Sequence, residues 1–211
     1  MIDQYDWAGG REAMLRFGPD TGPVVVAALP LFEEANRTRA FVVTILRQLA
    51  ERGIAGALPE LPGQGESLLP TEAATLADLR AGFAAACARF DKAYAFAVRS
   101  GALLDTQAES AGRCHLVPTT GAELVRELGR LRGLNDGNNY AGNLLSPALL
   151  TELETAMPAA ARTMRFEGDA RAADVKLQGA PLWRRAEPDN DPALAHLLAD
   201  DIAAWVRACE A

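Results

Sequence analysis

The chain has 211 residues, 49% hydrophobic and 23% charged, which suits a soluble protein with one sizeable core and requires no second domain. Its 28 acidic and 21 basic side chains give a net charge of −7, which argues against nucleic acid or an anionic membrane as the main partner. A small anionic ligand stays open, because a local field can oppose the total.

Three scattered cysteines, Cys87, Cys114 and Cys209, are too few for a disulfide framework or a metal cluster and read as reduced packing residues. No apolar run reaches about 18 residues, and Met1–Gln4 does not begin a signal peptide. The expectation is a cytoplasmic protein without metal, cofactor or membrane insertion.

Residues 2–7 and 12–17 read as short strands joined through Gly9 and Gly10. After a break at Gly18–Pro23, Val24–Leu29 is a continuous apolar run, the mark of a strand buried on both faces. Residues 37–52 have helical spacing, with Phe41, Ile45, Leu46 and Leu49 on one side; Gly53 ends that helix and Ile54–Leu58 is a second buried strand. A helix follows Thr75 through Phe90, then a third buried strand at Ala93–Val98 and a helix over Gly101–Ser110. Residues 114–118 supply a strand, residues 121–132 a helix, and Pro147 sits in the first turn of a helix ending near Met157. Residues 161–167 and 174–178 alternate as strands, and Leu194, Leu197, Leu198, Ile202, Trp205 and Val206 give the last helix an apolar stripe that reads as core packing.

A hairpin followed by alternating strands and helices predicts an α/β fold, a mostly parallel eight-stranded sheet with helices on both faces. Residues 1–211 form one domain in this reading, with 119–158 as a small helical cap or lid. Seven residues separate Phe166 from Asp174, too few for a crossover helix of about a dozen residues, so the last two strands pair antiparallel or an irregular loop replaces the crossover. The stretch Gly133–Asn143 is rich in glycine and asparagine, which suits either a mobile lid or a plain flexible connection.

In Ala95–Leu104 a buried strand runs into a turn where Ala97 and Gly101 flank Arg99, the small-x-nucleophile-x-small spacing of a nucleophile elbow. Arginine stays protonated and cannot attack an acyl carbon. Leu58–Ser67 resembles the D-x-x-G-x-G-x-S strand-end loop of α/β-hydrolases, with Glu60 in the aspartate place, and Pro30–Arg39 stands where that superfamily carries its oxyanion loop. The strings FEEANRTR, GRLRG…GNLLSPALL and GAPLWRRAEPDNDPALA…DIAAWV, from Val24 onward, resemble the exosortase A system-associated hydrolases of type 2. That resemblance implies an α/β-hydrolase fold and a setting near exopolysaccharide and exported-protein machinery. It also implies that arginine at the elbow is a group feature, since that branch reads G-L-R-x-G-A-L-L there.

An acyl hydrolase needs a nucleophile, a base and an acid linked by hydrogen bonds. Ser100 is the nearest hydroxyl to the elbow tip, one residue late and placed as a cap of the next helix. Gly179–Trp183 occupies the place of the expected histidine; His115 lies in a strand and His196 falls off the last helix's apolar stripe. Asp169 matches the acid position loosely and equally suits a surface turn. Ser100 and Asp169 are therefore weak catalytic candidates.

A buried arginine requires a negative partner. Glu33, Glu34 and Glu60 are placed on loops at the carboxyl edge of the sheet, with Glu34 or Glu33 expected to pair with Arg99. The result is a structural bridge in an abandoned site, or a pocket in which Arg99 anchors a carboxylate, phosphate or acidic sugar, lined also by Asn36, Arg39 and Trp183. The function expected is a binder or accessory factor in polysaccharide or exported-protein processing. The alternative is an ester or thioester hydrolase with a non-standard arrangement, and a third reading is a purely structural protein.

Overall fold

The computed structural model describes residues 1–132, 137–185 and 187–211. In chain order the elements are β1 (Ile2–Trp7), β2 (Gly10–Phe17), β3 (Val24–Ala28), α1 (Glu33–Glu51), β4 (Ala55–Pro59), α2 (Leu76–Cys87), β5 (Ala93–Val98) and β6 (Gly112–Leu116). There follow α3 (Gly121–Leu131), β7 (Asn139–Tyr140), β8 (Asn143–Leu144), α4 (Pro147–Glu154), β9 (Arg162–Phe166), β10 (Val175–Leu177) and α5 (Pro192–Glu210). The main sheet has eight strands in the order β1-β2-β4-β3-β5-β6-β9-β10, and β7 and β8 make a separate two-stranded ribbon. β1 and β2 pair antiparallel, as do β2 and β4; from β4 to β10 every pair is parallel.

Alternation along the buried strands divides the core between the two faces of the sheet. Val24, Val26, Ala95 and Ala97 pack with Leu79 and Phe83 of α2, Leu124 and Leu128 of α3, and Leu149 of α4. Val25, Ala27, Phe96 and Val98 pack with Phe41, Ile45 and Leu49 of α1 and with Leu198 and Ile202 of α5. Each fully buried leucine or phenylalanine contributes about 1.5–3 kcal/mol. α2 to α5 start where the sequence supplies caps: Thr75 with Asp78 and Thr120 with Glu123 form capping boxes, and Ser146 and Asp191 cap helices that open on proline. No helix among the described residues is long and apolar enough to cross a membrane.

Two expectations change, and a third, left open between antiparallel pairing and an irregular loop, resolves to the loop. α1 begins at Glu33, so Glu33, Glu34, Asn36 and Arg39 stand on its first turns and not on a loop. The helix expected over Gly101–Ser110 is replaced by two 3-10 turns, Arg99–Leu103 and Asp105–Gln107. β9 and β10 pair parallel through an irregular loop, which Lys176 closes by donating to the carbonyls of Asp169 and Arg171. Part of the glycine- and asparagine-rich segment, residues 133–136, lies outside the described residues.

Three non-glycine residues in the left-handed region follow the carboxyl ends of neighbouring strands: Phe32 (φ 61°) after β3, Arg99 (φ 55°) after β5 and Val117 (φ 48°) after β6. Each such residue costs on the order of 1–3 kcal/mol and persists only where its surroundings over-determine it, so the strain marks one end of the sheet. Glycine is required at 101, where a Cβ would lie 2.5 Å from the Leu29 carbonyl oxygen and 2.6 Å from that of Ala28. The elbow therefore sits directly on the end of β3.

Cys87 and Cys114 are buried and Cys209 is exposed. Desolvation pushes both buried thiols up to about 12, so the thiolate that attacks disulfide reagents hardly forms there. Titration of the native protein with a thiol-reactive disulfide at pH 8 should label Cys209 quickly and the other two only on unfolding; fast labelling of all three would contradict this packing.

Candidate functional site

Arg99 stands at the end of β5 at the tip of the elbow, 7% exposed. Its Nε and Nη2 donate to the two carboxylate oxygens of Glu34, both at 3.3 Å. Nη2 also meets both oxygens of Glu127 on α3, at 3.0 and 2.8 Å. The Trp183 ring centroid lies 5.2 Å from the guanidinium carbon, a cation–π distance. The sequence left the partner between Glu34 and Glu33, and Glu34 is the one that meets Arg99. Glu33 instead pairs with Arg37 at 2.5 Å, while Arg37 donates to the Trp183 carbonyl at 3.1 Å. Burial raises the Glu34 carboxyl above its ordinary value; Arg99 opposes that rise and the Glu127 charge adds to it.

Glu127 is the residue that sequence reasoning missed. Leu124 and Leu128 set the apolar stripe of α3, and Glu127 flanks it on a helix that follows β6, the neighbour of the elbow strand. That placement was the available signal.

Ser100 is 1% exposed and its Oγ accepts from the Leu31 backbone N–H at 2.9 Å, so the hydroxyl fastens the loop after β3 and caps no helix. In elbow enzymes an N–H from that loop helps to form the oxyanion hole. Here Pro30 has no N–H, that of Leu31 goes to Ser100, and that of Phe32 goes to Gln64 Oε1 at 3.0 Å. Neither histidine hydrogen-bonds Ser100. His115 Nε2 lies 2.7 Å from Asp105 Oδ2 in a fully buried pair, and exposed His196 meets Arg52 at 3.1 Å. Asp169 is held by Arg165 at 2.8 Å and Arg171 at 3.0 Å. The Arg171 guanidinium holds its carboxyl well below the usual range.

The residues expected to share one ligand pocket divide between cavities. Glu33, Glu34, Arg99 and Trp183 line one of about 220 Å³, with Glu127 and the apolar side chains of Leu31, Leu124, Leu128 and Leu131. Asn36, Arg39 and Glu60 line another of about 240 Å³ with Gln64 and Asn143, beyond Leu31, which lines both. There Arg39 and Glu60 are ion-paired to each other. A third cavity of about 340 Å³ brings Arg99 and Trp183 together with Asp169 and Arg171. Among the described residues no group of three side chains is arranged to hold a metal ion.

The Asp169 carboxyl gains stability from its arginines only while ionised. Its folded-state value is depressed, so this contribution is present above the ordinary carboxylate range and is lost as pH falls through the folded-state value. Asp169→Asn should therefore lower the urea midpoint by a constant amount between pH 5 and 7, and by less at lower pH. An Asp169→Asn deficit that grows on acidification would contradict the assignment.

No protein-family model and no curated protein matches the sequence. Solved structures do match over nearly the whole chain. A loop variant of the haloalkane dehalogenase DbeA from Bradyrhizobium elkanii is 14% identical, covering 100% of this chain and 97% of that one, with a TM-score of 0.66. Est1E from Butyrivibrio proteoclasticus, solved with ferulic acid bound, is 14% identical over 98% of both chains with a TM-score of 0.64. The bottromycin epimerase BotH, in complex with bottromycin A2, is 13% identical over 99% of both, with a TM-score of 0.57. At such identities the likeness is one of fold, and a single fold hosts many activities. With its strand order and its elbow after β5, this chain has the α/β-hydrolase fold.

Proposed function

We propose that this chain binds a small acidic molecule over Arg99 and does not hydrolyse acyl bonds. It would serve as a cytoplasmic accessory factor in exopolysaccharide or exported-protein processing, the setting implied by the resemblance of its FEEANRTR and GNLLSPALL segments. Residues 119–158 act as the cap over the site. The observation that carries this reading is the elbow itself: its tip is a buried guanidinium, and the adjacent Ser100 hydroxyl accepts from the Leu31 N–H and bonds neither histidine. A guanidinium fork is suited to bidentate capture of planar oxyanions, with geometric selectivity as well as charge.

Two measurements test it. Against short-chain nitrophenyl esters and thioesters, the wild type should turn over no faster than buffer, and Ser100→Ala should make no difference. Turnover that disappears in Ser100→Ala would establish the alternative, a hydrolase of unusual arrangement.

In a thermal-shift panel of glucuronate, phosphate and short-chain carboxylates, at least one acid should stabilise the wild type and leave Arg99→Ala unaffected. A ligand at about 100 times its Kd adds about 2.7 kcal/mol, roughly 5–10 °C for a domain of this size. Equal shifts in both proteins would remove Arg99 from the site, and no shift with any acid would favour a purely structural bridge.

A further inference from the structure

The cavity beside Arg99 already contains a carboxylate, and that carboxylate is poorly committed to its place. Glu34 rises from the first turn of α1 with a side chain 19% exposed, whereas the Glu127 side chain is 40% exposed on α3. Returning Glu127 to water therefore costs little compared with moving Glu34. Glu127 also has somewhere to go. Arg130 lies three residues on along α3, a spacing at which acid and base face each other on a helix, and it has no ion pair among the described residues. It lines the same cavity.

Occupancy decides how a ligand acid can enter. The Nε and Nη2 donors of Arg99 are already taken by Glu34 and Glu127, so an acid bound through Nη2 must replace one of them, and replacing Glu127 leaves the charge of the cavity unchanged. Both Glu127 oxygens sit within 3.0 Å of the same Nη2, so the vacated place has the dimensions of a carboxylate. Much of the remaining wall is apolar, from Leu31, Leu124, Leu128, Leu131 and Trp183, with Arg37, Arg130 and Arg184 among its charged members. At about 220 Å³ the cavity is smaller than the roughly 300–1,000 Å³ of sites for drug-sized molecules, so the apolar part must be short.

From these features we infer that the ligand is a short amphipathic carboxylic acid whose head group replaces Glu127 on Arg99 while its tail lies along the leucines of α3 and Trp183. Glu127 is the internal stand-in for that head group and sets the affinity. The inference rests on the reading that Arg99 anchors an acidic ligand, and names the class of acid and the residue it displaces.

Calorimetric titration with sodium hexanoate, sodium acetate and orthophosphate tests it on the wild type, Arg99→Ala, Glu127→Gln, Arg130→Ala and the double variant of the last two. Hexanoate should bind more tightly than acetate or phosphate. In Glu127→Gln its affinity should rise by about tenfold or more, an increment of about 1.4 kcal/mol. Arg130→Ala should weaken hexanoate binding by a few-fold in the wild type, where the displaced Glu127 loses its second partner, and have no effect in the Glu127→Gln background. That coupling is a readout a merely structural role would not move.

Hexanoate binding that needs Arg99 yet is unchanged or weakened in Glu127→Gln would overturn the exchange and leave the anchor standing. Phosphate binding more tightly than hexanoate would overturn the ligand class alone. Failure of every acid to bind any of the variants would remove both readings.

Discussion

Burying a guanidinium at the bend of a strained elbow is the constraint around which this end of the molecule is arranged. Arg99 adopts a left-handed backbone conformation and is 7% exposed, so it needs counter-charge from whatever packs against β5. That charge comes from both sides of the sheet: Glu34 from α1, whose apolar stripe joins one core cluster, and Glu127 from α3, which joins the other. One side chain thus ties together helices that pack on opposite faces of the sheet. Arg37 extends the arrangement by pairing with Glu33 and holding the Trp183 carbonyl, which keeps the indole close to the guanidinium.

The same constraint explains why the space near the elbow is partitioned. Leu31, next to the strained Phe32, stands as a wall with a cavity on each side. On one side apolar leucines surround a charge cluster. On the other, Arg39 and Glu60 satisfy each other amid Gln64 and Asn143. The two compartments differ in chemistry because different carboxylates neutralise their arginines, Glu34 and Glu127 in one and Glu60 in the other.

Much of the scaffold was legible in the residues themselves. The uninterrupted apolar runs of β3 and β5 could only be strands buried on both faces, and Ala97 and Gly101 located the bend. The need to neutralise Arg99 narrowed its partner to Glu34 or Glu33. What escaped depended on contacts distant in sequence or on weak local signals. The start of α1 was hidden because its N-cap, Phe32, offers no side-chain cap, so the apolar periodicity became visible only later. The segment after the elbow, Gly101–Ser110, reads as a helix because helices alternate with strands along the chain. Yet Asp105, buried against His115 ten residues on, belongs to a chain that follows two tight 3-10 turns. Glu127 is 28 residues from Arg99, and no local pattern ties the two together.

The Ser100 hydroxyl acts as a peg. By accepting from Leu31, and with Gln64 holding Phe32, it clamps the β3 end and the elbow into one body. The chamber therefore has unequal sides: a pegged one at the end of β3, and one at α3 where the half-solvated Glu127 is its link to Arg99.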